Sequence, residues 1–520
     1  MHRALEIQEI LLNIFGHCHY PTTDLAALAR TCRAFKDPAL DVLWETLPDL
    51  SPLAQCVPEA SQLLWAARGD PESYCGPSKC YSLHRSLTQN EWDILRSYTR
   101  RIRSINTLYG LNRKSLKRLW RPPIPEPLFP NIRHLYFEYT HRAVHFLLMP
   151  FPSLISLDVE VHNLRLFEDS IKSLAKTSSC LRQLLIYADL PTGVNTDFFD
   201  PIFIRQWRNL QTLVCPEISM DVITLVHLSR MPALSQLNFK LGSTFPYQIP
   251  PSDSPLVFSN LNRWVLRSQS LYSISCLLSQ TRLPAVTIFV AYIECCPSRV
   301  DLSAWFAGVQ TSGFGHCVQE LHLGQSISGR VDLLGNTRVL GFEDLRPCMA
   351  FSHLRCIDLR MDWQVDLTDN ELLSLTSTWP HLETFNINRQ WGWNTLGGIT
   401  PNGLIQLLQI CPLLTDICIA IDTRGYTEIP PLLQSVERST SIASYSIFSI
   451  DVLDSFIEAE SVPAITAFFA DIMPRSNLLL YAWNISLRGT ESVRLPNRDV
   501  CENLWEDVRQ RVKDAVRQSR

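Results

Sequence analysis

The sequence predicts an α/β chain: a short three-helix N-terminus, then an irregular alternation of strand and helix that bends into an open horseshoe. Three observations lead there. The first 47 residues carry three apolar stripes at helical spacing, and a short apolar phrase then recurs along the rest of the chain. The chain's 520 residues also exceed the roughly 250–300 at which a single core stops growing, so it is either multi-domain or a solenoid. The recurring phrase selects the solenoid.

In the first predicted helix Ile7, Ile10, Leu11, Ile14 and Phe15 fall on one stripe of a 3.6-residue period, and Gly16 followed by Pro21 stops it. A second helix is expected from Asp24, whose carboxylate can accept from free backbone N–H groups, with Leu25, Leu28, Ala29 and Cys32 on one face. A third is expected from Asp37-Pro38, with Leu40, Leu43, Trp44 and Leu47 on its apolar side. Three helices in about 45 residues bury too little to be stable alone, so the stripes call for a neighbour.

The wording of this segment resembles the F-box family: "ALEIQEILLNIF" at 4–15, "DLAALARTCRAF" at 24–35 and "PALDVLWETL" at 38–47. Ile7-Gln8 stands where the family has a leucine-proline pair. The resemblance implies that Ile7, Ile10, Leu11, Ile14, Phe15, Leu28, Cys32, Leu43 and Trp44 dock onto the Skp adaptor of a cullin-RING ubiquitin ligase. The other reading is a helical cap that seals the first turn of the domain behind it.

From residue 126 the phrase (Pro)-x-φ-x-x-φ-x-φ, with φ apolar, recurs. Clear copies are "FPNIRHLYFEY" at 129–139, "FPSLISLDVEV" at 151–161, "SCLRQLLIYAD" at 179–189, "WRNLQTLVCPE" at 207–217, "MPALSQLNFKL" at 231–241 and "FSNLNRWVLRS" at 258–268. Looser copies begin at 283 and 316, firmer ones at 351, 379 and 411, and two more at 440 and 475. The anchors Ile132, Leu154, Leu181, Leu210, Leu234 and Leu261 lie 22, 27, 29, 24 and 27 residues apart. That period resembles leucine-rich repeats, which run at roughly 20–29 residues. Helix-like pieces at 169–178, 220–230 and 402–411 stand between strands, and stacked units of this kind build a curved core with a strand-lined concave face. The family's asparagine three residues past the third φ is replaced by Thr140, His162, Asp189 and Asp362, which predicts an irregular solenoid. An ordinary α/β domain is the alternative.

These readings divide the chain into helices at 1–47, a linker at 48–125, divergent repeats at 126–485 and a C-terminal helical cap at 486–520, where Leu504, Trp505, Val508, Val512 and Val516 share helical spacing. The linker contains the segment 96–121, with nine arginines and lysines, no acid, and Tyr98, Tyr109 and Trp120 interleaved. It reads either as a solvated face or as a seat for an acidic or phosphorylated partner.

Composition narrows the function. Charged residues are 19 % and hydrophobic ones 46 %, which suits an extended core with apolar surface kept for partners, and the net charge of −4 argues against general nucleic-acid binding. No uninterrupted apolar run reaches a membrane-spanning length, and Glu6 and Glu9 stand where a secretory signal needs apolar residues, so a cytoplasmic or nuclear location without a membrane is expected. The sixteen cysteines are scattered and read as buried thiols. Cys75, Cys80 and His84 form a C-x4-C-x3-H grouping without a fourth ligand at matching spacing, so neither metal nor cofactor is expected. Asn484-Ile485-Ser486 matches a glycosylation sequon that an intracellular chain would not use. No G-x-S-x-G elbow, phosphate-binding loop, H-E-x-x-H pair or dinucleotide fingerprint is present, and the chain reads as non-catalytic.

Side chains that alternate with the buried φ positions face the concave surface. Among them Arg263, Arg267, Tyr292, His322, Asp358, Arg360, Asn386 and Asn388 are the candidates for holding a protein substrate, with Trp391 and Trp393 on the loop "RQWGWNTLGG" as aromatic anchors or as plugs of an enlarged repeat. Taken together the chain resembles F-box/leucine-rich-repeat proteins, which implies a substrate-recognition subunit of a ubiquitin ligase; a ligase-independent repeat scaffold is the alternative.

Overall fold

The computed structural model describes residues 7–18, 21–57, 61–64, 79–83, 85–108, 118–119, 126–139, 144–188, 201–242, 255–326, 338–395, 398–427, 448–473, 479–481 and 498–518. The chain falls into two units, Met1–Lys240 and Leu241–Arg520.

The first unit opens with helices α1 (Gln8–Gly16), α2 (Pro21–Thr31) and α3 (Arg33–Glu45). Two starts differ from expectation. Helix α2 begins at Pro21, three residues before Asp24, because a proline at the first helical position gives up an N–H that has no helical partner there. Helix α3 begins at Arg33 after extended Cys32, which leaves Pro38 inside the helix. The contact that rewards this is Phe35, upstream of Pro38, whose ring meets Phe15 edge to face at 5.4 Å. Leu11, Phe15, Leu25 and Ala39 close the core of the three helices, with Leu28 and Leu43 packed against it.

Helix α3 runs directly into a strand. Thr46–Leu47 pairs in parallel with Ser104–Ile105, which pairs with His134–Tyr139, and Ser156–Val161, Gln183–Ala188 and Thr212–Met220 follow in sequence order. The segment expected as a linker therefore supplies part of the sheet. It also supplies the helix Gln89–Thr99, which starts on a capping box in which Thr88 and Glu91 satisfy each other's backbone N–H groups. Arg85 adds two hydrogen bonds to the same carboxylate, at 2.8 and 2.9 Å.

In the second unit the strands Arg263–Ser268, Ile288–Ile293, Glu320–Gln325, Cys356–Arg360, Thr384–Ile387, Asp416–Cys418, Ser449–Asp451 and Leu479–Tyr481 also pair in parallel, each with its neighbour in sequence. Parallel neighbours need a crossover. Helices Leu271–Ser279, Arg299–Thr311, Asp369–Thr376, Pro401–Ile410 and Val462–Ile472 lie in the crossovers.

All thirteen copies of the recurring phrase contain a strand. In the eleven copies that begin between 129 and 411 the three φ residues are buried, as in Ile132, Leu135 and Phe137 or Leu354, Ile357 and Leu359; most of the copies at 440 and 475 lies outside the described residues, and Phe448 is exposed. Within each unit the described steps from Arg103 to Gln236 and from Asn262 to Ser449 share one feature: one carbonyl accepts two successive N–H groups of the next copy. Arg133 O accepts from Ile155 and Ser156, and Gln319 O accepts from Arg355 and Cys356, at 2.8 to 2.9 Å. A repeated backbone bond of this kind fixes the register of each copy on the one before.

At the C-terminus, helix Arg498–Gln518 buries Cys501, Trp505, Val508 and Val512. Trp505 meets Phe469 of helix Val462–Ile472 edge to face at 6.0 Å and donates to Ser455 O at 2.9 Å. Among the described residues no helix is long and apolar enough to cross a membrane, and the fourteen described cysteines are free thiols. Cys75, His84, the Cys80 side chain, Tyr109, Trp120 and the Asn484 sequon lie outside the described residues.

Candidate protein-binding surfaces

The apolar stripe of α1 divides into two faces. Leu11 and Phe15 point inward at 2 % and 3 % exposure, whereas Ile7, Ile10 and Ile14 remain 46 %, 37 % and 49 % exposed. Three branched apolar side chains on successive turns form an exposed apolar patch, of the kind that marks contact surfaces. Trp44 is differently placed: its ring lies on Tyr98 of helix Gln89–Thr99, 4.4 Å between centroids. Beside it the Arg101 guanidinium spans Asp37 and Asp41 on α3, at 2.7 Å to Asp37. This end of α3 is thus tied to the start of the sheet.

The second surface lies on the strands of the second unit. Register sets Val265, Val290, His322, Asp358, Asn386, Cys418 and Asp451 side by side, with Arg267, Tyr292, Gly324 and Arg360 in the flanking row. Asp358, 3 % exposed, takes the Arg360 Nε–H at 2.8 Å and lies 3.4 Å from His322 Nδ1. Burial alone would lower the basicity of His322, but its hydrogen bonds to Asp358 and Cys356 outweigh burial and hold its pKa up at about 10, so the imidazole is a cation at neutral pH. Burial would likewise raise Asp358, yet the bonds from His322 and Arg360 hold it below the ordinary carboxylate range. Arg389 donates to Asp416 at 2.6 Å and lies 3.9 Å from Asp451. Asn386 donates to Asp416 at 3.3 Å, and its Oδ1 is covered without a partner.

The loop after strand Thr384–Ile387 is structural. Asn388 sits at φ 60° and is fully buried; its Oδ1 accepts the Met361 N–H at 2.9 Å and its Nδ2 donates to Trp363 O at 2.8 Å. Trp393 is also fully buried, donates to Ile387 O at 3.0 Å, and presents its own N–H to Asp454 at 2.8 Å. Trp391 is half-buried.

Residues 8–47 match the F-box-like family model. The match covers the three helices and ends with the first strand, Thr46–Leu47. No curated protein matches the chain. Among solved structures, an internalin from Listeria monocytogenes is 11 % identical and covers 93 % of this chain and 95 % of its own at a TM-score of 0.30. The yeast Rad7 and Elc1 complex is 13 % identical over 65 % of this chain and 76 % of its own, with a TM-score of 0.31. At such scores the strand register, and not these likenesses, carries the description of the fold.

Several expected roles change on this geometry. In the F-box-like segment Leu11 and Phe15 hold the helices together from within and present no atoms to a partner, while Ile7, Ile10 and Ile14 do; Leu28, Cys32 and Leu43 are partly covered, and Trp44 stacks within the chain. On the strand face Arg263, Arg267, Tyr292, His322 and Arg360 reach solvent, whereas Asp358 and Asn386 lie beneath them, and Asn388 and Trp393 belong to the core. Sequence reasoning missed Arg389, Asp416 and Asp454. Arg389 closes its phrase and Asp416 lies in the middle of the next, and no single copy shows that adjacent strands bring them together.

Proposed function

We propose that the chain is the substrate-recognition subunit of a Skp-cullin-F-box type ubiquitin ligase. The F-box-like helices bind the Skp adaptor, and through it a cullin-RING ligase, while the strand face of a leucine-rich-repeat solenoid holds a protein substrate. One observation carries this reading: Ile10 and Ile14 stand exposed on one helix within the segment that matches the F-box-like model, and Ile7 is exposed immediately before it. Its action is proximity. A lysine held near a charged conjugating enzyme reacts at a raised effective concentration, and no acid or base need come from this chain. Such a role belongs in the cytoplasm or nucleus.

The test is a pull-down of purified Skp adaptor by the intact chain and by the double variant Ile10→Asp, Ile14→Asp. Leu11 is avoided because a charge there would unfold the helices and mimic lost binding. Each buried isoleucine contributes roughly 1.5–3 kcal/mol, so the variant should bind on the order of a hundredfold more weakly or worse, with an unchanged melting temperature. Equal capture of both proteins, or none by a well-folded intact chain, rejects the reading.

A further inference from the structure

On the strand face of the second unit almost every cation is matched. Arg360 and His322 share Asp358, His322 also lies 3.5 Å from Glu320, and Arg389 is held by Asp416. Arg263 and Arg267 differ. They stand two residues apart on strand Arg263–Ser268, facing the same side about 7 Å apart, and neither meets a carboxylate among the described residues. The Arg267 guanidinium lies 4.7 Å above the Tyr292 ring, and its Nε is covered without a hydrogen-bond partner. Tyr292 is 37 % exposed and leans over Gly324 on the next strand, where a Cβ would come within 3.0 Å of its ring.

From this arrangement we propose that Arg263, Arg267 and Tyr292 form the seat for an oxyanion on a protein segment, either an Asp or Glu carboxylate or a phosphorylated side chain. The inference rests on the reading of this face as the substrate surface. A guanidinium stacked on a ring keeps its plane, so little rotamer freedom remains to be lost when its fork takes two oxygens. The glycine lets the ring lie against its strand, where a side chain would collide with it, and so fixes the ring under the guanidinium. The neighbouring cations are already paired with Glu320, Asp358, Asp416 and Asp451, so among its described residues the face offers only these two guanidinium groups, which fit one local negative group and not a nucleic-acid backbone.

The experiment is selection of random 12-residue peptides by display on the immobilised full-length chain, with the double variant Arg263→Glu, Arg267→Glu in parallel. The intact chain should enrich peptides with an Asp or Glu at a fixed position, and the reversed variant should enrich Lys or Arg there. The selected peptides are then synthesised with the acid kept, replaced by phosphoserine, or replaced by its amide; the first two arms separate the carboxylate source from the phosphate source, and the amide should bind at least about tenfold more weakly. Arg263→Gln, at an exposed position that leaves the fold intact, should weaken the acidic peptides in the same sense. Enrichment without acids, no enrichment, or amide and acid peptides binding alike overturns the proposal. Adaptor pull-down on the same preparation separates the two ideas: adaptor binding without acidic selection rejects only this seat, and acidic selection without adaptor binding rejects only the ligase role.

Discussion

At the scale of single residues, Asn388 shows how one side chain can tie neighbouring copies of the apolar phrase together. The asparagine expected three positions past the third φ residue is absent from the clearer copies, but Asn388 lies one position past Ile387 and does comparable work, bonding the backbone of the preceding copy at Met361 and Trp363. Its φ of 60° is a left-handed conformation that asparagine tolerates better than most residues. Asn388→Ala would leave one buried N–H and one buried carbonyl unpaired and keep the strained backbone. The cost should be about 2–4 kcal/mol, read as a fall in melting temperature, and Asn388→Asp should recover only the accepting half. A melting temperature within a degree of the intact chain would remove this role. The sequence could not disclose it, because alternation along the strand placed Asn388 with the surface residues, and only its backbone angle turns it inward.

At the scale of elements, the period of the apolar phrase was legible: each of thirteen copies holds a strand, and in the eleven that begin between 129 and 411 the buried triads are the φ residues themselves. Starts of helices were less legible. Pro38 reads as a first-turn proline, yet the Phe15–Phe35 contact draws α3 upstream past it. The C-terminal helix followed its stripe, and its packing yields a prediction. Helix Arg498–Gln518 covers Phe469 and its neighbours with Trp505, Val508 and Val512. Removing residues 498–520 uncovers that apolar face, so the truncated chain should aggregate on expression, and Trp505→Ala alone should cost about 3–5 kcal/mol. A soluble truncation with an unchanged melting temperature would show that the helix caps nothing.

At the scale of the whole molecule, two titrating groups bound the pH range in which both units keep their full stability. In the first unit the hydrogen bonds from Arg85 and then Thr88 hold the Glu91 carboxyl at about 2, below its ordinary value of about 4.3 in an unfolded chain. A lowered acid stabilises the fold above its unfolded pKa and loses that contribution as pH falls through its folded one, here between about 4.3 and about 2. In the second unit His322 is raised from an unfolded value of about 6.5 to about 10, so its contribution is complete below about 6.5 and is lost as pH rises towards about 10. Both contributions are present in full only between about 4.5 and 6.5, and thermal stability should peak there, on the acid side of neutrality. Melting curves from pH 3 to 10 should show Glu91→Gln flattening only the acid flank and His322→Gln flattening the alkaline flank, with a smaller change on the acid flank because Asp358 loses one of the bonds that lower its pKa. Movement of the alkaline flank in Glu91→Gln would mean that the two groups do not act separately, and an alkaline flank unchanged in His322→Gln would show that the imidazole and Asp358 are not a charged pair.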